Sequence, residues 1–354
     1  MAGEEFTGTM PVAERQRFDS DALTRYLSGR IAGFAGPIEV QQFRGGQSNP
    51  TFLLTTASGA QYVLRRKPAG QLLPSAHAVD REFRLISALH GTAVPVAQPY
   101  CLCTDESVLG SMFYVMGYVA GRNFWDPQLP GMTPGQRAAI YDEMNRVLVV
   151  LHTLDFTARG LGDYGKPGNY FARQIGRWSK QYRASQTEDI PAMEQLLTWL
   201  PAHIPPGDET SLVHGDYRID NMIFDPTQPR LTAVVDWELS TLGHPLADFS
   251  YHVMLWRMGE GEIRGLKGVD LAPLGIPSEA DYVATYCKRT GRPAIDREVW
   301  EFCMAYNMFR IACIRQGIMR RVLEGTAASR HAREAGMRAR ATAEEAWSQV
   351  EQHF

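Results

Sequence analysis

The sequence is poor in cysteine, with five among 354 residues, at positions 101, 103, 287, 303 and 313. The number is odd and no C-x-x-C pair occurs, so neither a disulfide framework nor a zinc site is expected. All five read as reduced thiols of a cytoplasmic protein. Cys101 and Cys103 alternate along an expected strand, with at most one facing the core. Long apolar runs are also missing. The longest, such as Val147 to Leu151, fall far short of the ~18 residues of a membrane-crossing helix, and no membrane partner is expected. Met1 to Met10 carries Glu4 and Glu5 and no basic residue, so no secretory signal is expected there. A charge excess is lacking as well. Lys plus Arg number 36 against 39 Asp plus Glu, a formal net charge of -3, which argues against wholesale nucleic-acid binding. There is no internal repeat and no low-complexity segment.

The remaining composition is that of a globular protein, with 44% hydrophobic, 10% aromatic and 21% charged residues. The length suggests about two domains at roughly 150 residues each. Residues 1–18 are polar and without periodicity and read as mobile. Asp19 or Ser20 can cap a short helix bearing Leu23, Tyr26 and Leu27. Three strand-like runs follow, Ile38–Phe43, Thr51–Thr56 and Gln61–Arg66, separated by turn residues. Asp80–His90 has helical spacing, and further strands are expected near Gln98–Cys103 and Ser111–Gly117. This makes residues 19–117 one unit with a five-stranded sheet and a helix. Residues 118–132, rich in Gly, Pro and Asn, read as hinge and linker. The rest, 133–354, is mainly helical. Thr133-Pro134-Gly135-Gln136 is a capping box with Pro at the first helical position. Helices are expected to about Leu154, then at Tyr170–Arg183, Ile190–Leu200, Leu246–Met258, Ser278–Arg289, Arg297–Val322 and about Thr326–Gln352. Within them, Asn221–Phe224 and Leu231–Val235 flank an Asp-Pro turn and read as a β-hairpin.

The densest polar signal is Leu212–Phe224, L-V-H-G-D-Y-R-I-D-N-M-I-F, followed by Ala233–Glu238, A-V-V-D-W-E. An apolar strand ending in a carboxylate, beside a loop holding a carboxylate and an amide, can build a divalent metal site. Mg2+ takes hard oxygen ligands, one or two carboxylates with phosphates and water completing the octahedron. Asn221 and Asp236 supply such oxygens. Asp216, five residues before Asn221, is a candidate to sit beside the metal and accept a proton from a hydroxyl.

H-G-D-x-x-x-x-N at His214–Asn221 and D-W-E at Asp236–Glu238 resemble the aminoglycoside phosphotransferase and choline kinase-like family, which has the protein kinase fold. The resemblance extends over about Ile38 to Arg321. It implies an α+β bilobal fold, with a small antiparallel-sheet lobe carrying one key helix and a larger helical lobe, and ATP bound between them. It implies that Asp216 is the catalytic base and that Asn221 and Asp236 hold Mg2+. The Gly45–Asn49 turn, with Gly45, Gly46, Ser48 and Asn49, would cover the phosphates, although alone it reads as a plain hairpin turn. Gly117, Tyr118 and Val119 would form the hinge that recognises adenine. Arg65 stands where kinases carry Lys. Arg keeps the charge and can bridge phosphate and carboxylate through its fork, so an Arg65–Glu82 pair is expected; Glu82 as a solvated helix residue is the alternative. Asp248 would accept hydrogen bonds from the catalytic-loop backbone, and His214 would order the loop rather than act as an acid or base.

The acceptor is less constrained. Phe302–Leu323 holds Arg310, Arg315, Arg320 and Arg321 and no acid. Arg310 and Arg321 are about three helical turns apart and share a face. A basic face suits an anionic acceptor; a solvated face or an internal salt-bridge partner is the alternative. Val63–Pro68, Ala76-His77, Asp80-Arg81-Glu82 and Arg173-Gln174 are similar to the kinase domains fused to acyl-CoA dehydrogenases, which are implicated in phosphorylating hydroxyacyl-CoA. The expected partners are therefore a small alcohol, a CoA thioester among the candidates, with no nucleic acid. The last helix either packs in cis or joins two chains as a homodimer. The competing readings are an aminoglycoside or choline-type kinase and a nucleotide-binding pseudokinase. A protein kinase is disfavoured, because Gly243-His244-Pro245 follows Asp236 too closely for a peptide-docking segment.

Overall fold

Alternation of apolar and polar residues builds the first sheet. Thr51–Thr56 (β3) buries Phe52, Leu54 and Thr56 and turns the residues between them to the other face. A computed structural model describes residues 8–44, 49–68, 78–259, 265–327 and 331–354. In it β3 lies in a six-stranded antiparallel sheet with β1 (Thr9–Met10), β2 (Ile38–Phe43), β4 (Gln61–Arg66), β5 (Pro99–Cys103) and β6 (Phe113–Gly117), ordered β1-β2-β3-β4-β6-β5. One face carries Phe52, Leu54, Tyr62, Leu64, Phe113 and Val115 against Leu23 and Leu27 of α1 (Ser20–Ser28). Asp19 caps α1 by accepting the N–H groups of Asp21 and Ala22. The other face presents Arg65 and Tyr114 toward α2 (Val79–Leu89), whose buried residues are Val79, Glu82, Leu85, Ile86 and Leu89.

Three expectations need correction here. The segment before residue 19 is fastened rather than mobile over its described part. Thr9 and Met10 pair with Phe43 and Gln42, and Arg66 donates to Gln16. Polar residues suffice for this because the unpaired edge of β2 supplies backbone partners. The sheet accordingly has six strands, not five. Cys101 and Cys103 are two apart in a strand, so they share a face, and both lie in the core. Burial pushes the Cys101 thiol up to about 11, which makes it inert.

The chain divides into two compact units, one of residues 1–126, 157–164 and 219–240, the other of 127–156, 165–218 and 241–354. The hairpin β8 (Met222–Phe224) and β9 (Leu231–Val234) therefore groups with the sheet, although sequence placed it within the helical lobe. The reason is local. Arg122 and Phe224 exchange backbone hydrogen bonds at 2.7 and 2.8 Å, and Val234 N–H donates to the Pro95 carbonyl. A Cβ on Gly121 would lie 2.3 Å from the Phe224 carbonyl oxygen, so only glycine permits this approach.

The second unit is helical. Thr133 and Gln136 close the capping box of α3 (Pro134–His152). Next come α4 (Tyr170–Ser185) and α5 (Pro191–Ala202), and then the short pair β7 (Ser211–Val213) and β10 (Thr241–Gly243). They are followed by α6 (Pro245–Val253), α7 (Leu271–Leu274), α8 (Glu279–Thr290), α9 (Arg297–Leu323), α10 (Ala332–Met337) and α11 (Ala339–His353). From Trp300 to Cys313 every residue of α9 is buried, on all faces of the helix, as expected of a helix at the centre of a core. The expected single C-terminal helix is split at Arg338. Buried Arg315 donates to the Arg338 carbonyl and to the Thr342 hydroxyl at that break. Beyond it α11 packs in cis, burying Ala339, Ala343 and Ala346. Among the described residues no helix is long and apolar enough to cross a membrane.

Candidate active site

In the sheet unit the site grows from β4 and α2. Arg65 and Tyr114 are cross-strand partners, so their side chains share a face. Both reach Glu82, with Arg65 Nε at 2.9 Å from Oε2 and the Tyr114 hydroxyl donating to the same oxygen at 3.0 Å. Asn49 Nδ2 donates to Oε1 at 3.1 Å. Glu82 is buried, which excludes a solvated helix residue. Burial pushes its carboxyl up to about 7, against the pull of Arg65 and Tyr114. Burial opposes charge on Arg65, but Glu82, Tyr114 and Asp236 around it keep the guanidinium protonated. The far end of the same guanidinium, Nη2, donates to Asp236 Oδ1 at 2.7 Å and lies 3.6 Å from Glu238 Oε2. Arg65 thus spans two carboxylates through its fork, which a single ammonium cannot do.

Asp236 and Asn221 sit at the open end of the hairpin. Met222 pairs with Val234, and the Asn221 carbonyl accepts the Val235 N–H at 2.9 Å, so the next residue on that strand is Asp236. Asp236 has φ 65 and ψ 58, the left-handed region, an uncommon conformation for a non-glycine residue and one that marks functional sites. An amide oxygen and a carboxylate at one hairpin end are hard oxygen donors of the kind Mg2+ takes.

In the helical unit the loop His214–Arg218 leaves β7. Asp248 of α6 receives it, accepting the His214 N–H on Oδ2 at 2.7 Å and the Gly215 N–H on Oδ1 at 2.8 Å. His152 Nε2 lies 3.2 Å from Oδ2 and its Nδ1 2.8 Å from the Tyr286 hydroxyl. Burial raises the Asp248 carboxyl, but the bond from His152 and the neighbouring charges outweigh it, so the value falls below normal. Gly215 has φ 82, which lets the chain turn between His214 and Asp216. The Asp216 N–H donates to His214 Nδ1 at 3.2 Å, so His214 orders the loop. The Asp216 carboxylate accepts from the Tyr251 hydroxyl at 2.6 Å and pairs with Arg218 Nε at 3.0 Å. The Tyr217 ring is buried, its hydroxyl donating to the Met144 carbonyl. Its own carbonyl faces Nδ1 of His252, a histidine that burial holds down at about 4.

The model of the phosphotransferase enzyme family matches residues 39–297. The chain belongs to the phosphotransferase enzyme family. A solved structure from Ralstonia eutropha JMP134, provisionally named an aminoglycoside phosphotransferase, is 56% identical, covers 96% of this chain and 100% of its own, and superposes with a TM-score of 0.88. Acyl-CoA dehydrogenase family member 10 of Mus musculus is 46% identical over 96% of this chain. The match takes in only 32% of that protein, so the chain spans about a third of its length. A thermostable mutant of aminoglycoside phosphotransferase APH(4)-Ia, in ternary complex with ADP and hygromycin B, is 15% identical, with 93% of this chain and 98% of its own covered and a TM-score of 0.61. That likeness carries the fold, the bilobal α+β protein-kinase-like architecture.

Several residues proposed from sequence are placed differently. Gly45, Gly46 and Ser48 lie outside the described residues. Asn49 is buried and its amide is committed to Glu82, so it supports that carboxylate instead of reaching a phosphate. The N–H groups of Gly117 and Tyr118, two of the three residues expected to form the hinge with Val119, are used by the carbonyls of Gln98 and Gln61. The four arginines of α9 form no common basic face. Arg310 and Arg315 are buried with internal partners, Arg320 pairs with Glu324, and only Arg321 joins it in solvent. Helical spacing aligned Arg310 with Arg321, but α9 runs from core to surface between them. Tyr114, Arg218, Tyr251 and His152 were not singled out as site residues. For Tyr251 a signal existed, since it lies three residues after Asp248 and so on the same helix face.

Proposed function

We propose that this phosphotransferase is an ATP- and Mg2+-dependent kinase of a small anionic alcohol, a hydroxyacyl-CoA being the preferred acceptor. The observation that carries the kinase reading is the Arg65 fork between Glu82 and Asp236, with Asn221 beside Asp236 at the hairpin end. That set supplies one cation for the phosphate chain and two hard ligands for a divalent ion. Bound magnesium supplies neutralisation of phosphate charge, the main demand of phosphoryl transfer. Asp216 orients the acceptor hydroxyl and takes its proton as the oxygen attacks the terminal phosphorus. Asp248 and His214 fix the loop from which Asp216 projects.

Two observations support the anionic acceptor. In the helical unit half-exposed Arg218 pairs with Asp216, its Nε at 3.0 Å from Oδ1. The mouse relative is named an acyl-CoA dehydrogenase family member, and CoA carries phosphates that such an arginine binds. The five cysteines are all free and buried, which suits a reducing compartment such as the cytoplasm.

The test is Mg2+-dependent ATP consumption against hydroxyacyl-CoAs, the matching free hydroxy acids, aminoglycosides and choline. Turnover that requires the CoA ester is expected. Turnover with an amine alcohol keeps the kinase and replaces the acceptor class. Tight ATP binding with no turnover on any acceptor overturns the reading in favour of a nucleotide-binding pseudokinase.

A further inference from the structure

Asp216 stands on a loop, and an aspartate side chain on a loop has three staggered positions for its carboxylate. A phosphoryl transfer that depends on positioning needs one of them. The backbone restraints from Asp248 and His214 fix the loop but not this torsion, and half-exposed Arg218 pairs with the carboxylate at 3.0 Å. The Tyr251 hydroxyl contacts the carboxylate itself, donating to Oδ1 at 2.6 Å. Asp248 and Tyr251 lie one turn apart on α6, so one helix face holds the loop backbone through the first and the loop side chain through the second.

Behind Tyr251 stands Arg310. Its guanidinium carbon is 4.7 Å from the centre of the Tyr251 ring and 5.6 Å from that of Trp178. Nη2 donates to the Gly215 carbonyl at 2.6 Å. Arg310 is buried, and among the described residues no carboxylate lies within ion-pair distance of it. A buried cation without a direct counterion is costly, so a role beyond filling space is indicated. What it touches is the backbone beside Asp216 and the ring that holds Asp216.

We propose that Tyr251 is the positioning residue of Asp216, its hydroxyl selecting the carboxylate rotamer that receives the acceptor hydroxyl, with Arg310 locking the ring from behind. This rests on the reading of Asp216 as the catalytic base. Burial and the charge of Asp216 push the Tyr251 phenol up, so it stays a donor across the working pH range.

The variant is Tyr251→Phe, which removes one oxygen and keeps the ring against Arg310. Turnover is expected to fall roughly 10- to 100-fold, the scale of a hydrogen bond to a charged group, with KM for ATP unchanged and Tm within about 2 °C of the parent. In an Asp216→Asn background the same change is expected to cause no further loss, because the group it positions is already disabled. Undiminished turnover, or an equal fold-loss in both backgrounds, overturns the proposal. A second readout needs no turnover. With carbon-13 at the aspartate carboxyls, the Asp216 resonance, identified by its disappearance in Asp216→Asn, is expected to move in Tyr251→Phe. An unmoved resonance overturns the proposal. A moved resonance in a protein that phosphorylates no tested acceptor leaves Tyr251 as the positioning residue and removes the kinase reading.

Discussion

Replacing Arg65 with lysine asks whether the fork, rather than the charge, is what this site needs. Arg65 reaches Glu82 through Nε at 2.9 Å and Asp236 through Nη2 at 2.7 Å. Lysine has one nitrogen and can serve one of these carboxylates. Losing one charge-assisted bond inside a buried cluster costs about 1.5–3 kcal/mol, a Tm loss of roughly 3–12 °C for a unit of this size. The loss should depend on pH. Glu82 is held near 7 when folded, against 4.5 ordinarily, because it is buried. The folded form therefore binds more protons than the unfolded one between those values, so the stability from this group is fully present below about 4.5 and fades as pH rises through about 7. The charged groups facing it are Arg65, Asp236 and Glu238, with Tyr114 and Asn49 as neutral donors. At pH 5 Glu82 is mostly neutral in both proteins, and Arg65→Lys should cost less than half its full effect. At pH 8 the carboxylate must be charged without the fork, and the gap should be widest. Thermal melts of both proteins at the two pH values, at fixed ionic strength, read this directly. A gap that does not change with pH refutes the argument, and equal Tm values at both show that the fork is dispensable.

Asp216→Ala should nearly abolish turnover while ATP binding, followed by calorimetry, persists; normal turnover would sink its assignment as base. Asp248→Asn places an amide where two backbone N–H groups and His152 need an acceptor. It should lower stability by about 3 kcal/mol and reduce turnover without changing ATP affinity, as read by melting and calorimetry. His252 is held at about 4 by burial, against 6.5 ordinarily. Its contribution is present above about 6.5 and is lost as pH falls toward 4, up to about 3 kcal/mol. His252→Gln should therefore lower stability at pH 8 and flatten the loss on the acid side, and an acid limb as steep as the parent's would count against it.

The elements legible in the sequence were those that follow local rules. The T-F-L-L-T-T alternation of β3, the Asp19 cap and the Thr133–Gln136 capping box each needed only neighbours in the chain. The hairpin at residues 222–234 was also visible, because two apolar runs flank a turn in which Asp225 accepts the N–H groups of Thr227 and Gln228. Three-dimensional burial was not legible. Arg310 and Arg321 share a helical face by arithmetic, but nothing in their spacing says that one end of α9 lies in the core. Asn49 looked like a loop residue because its partner, Glu82, lies 33 residues away. Pairing of Thr9 and Met10 depends on an open strand edge that those two residues do not encode.

Helix α6 concentrates these dependencies. His244 caps it by accepting the Leu246 N–H, Asp248 holds the loop backbone, Tyr251 holds the Asp216 carboxylate, and His252 meets the carbonyl of Tyr217. Every residue from Pro245 to Val253 is buried. Substitutions there should cost stability and catalysis together, because the groups that pack the helix are also those that shape the loop. The Arg65 cluster differs in kind. Its carboxylates are drawn together by one cation, so removing a single acid relieves repulsion at the same time as it breaks a bond. Glu238, 3.6 Å from Arg65 and beside Asp236, is where this distinction is sharpest. Glu238→Gln removes one of the negative charges around the guanidinium while keeping side-chain length. It should leave folding nearly unchanged, within the scale of a partly exposed ion pair of about 1 kcal/mol or less. Its effect on the magnesium dependence of turnover would then report how much that carboxylate adds to the field of Asp236. A large Tm loss in Glu238→Gln would show instead that the cluster is held by all of its acids jointly.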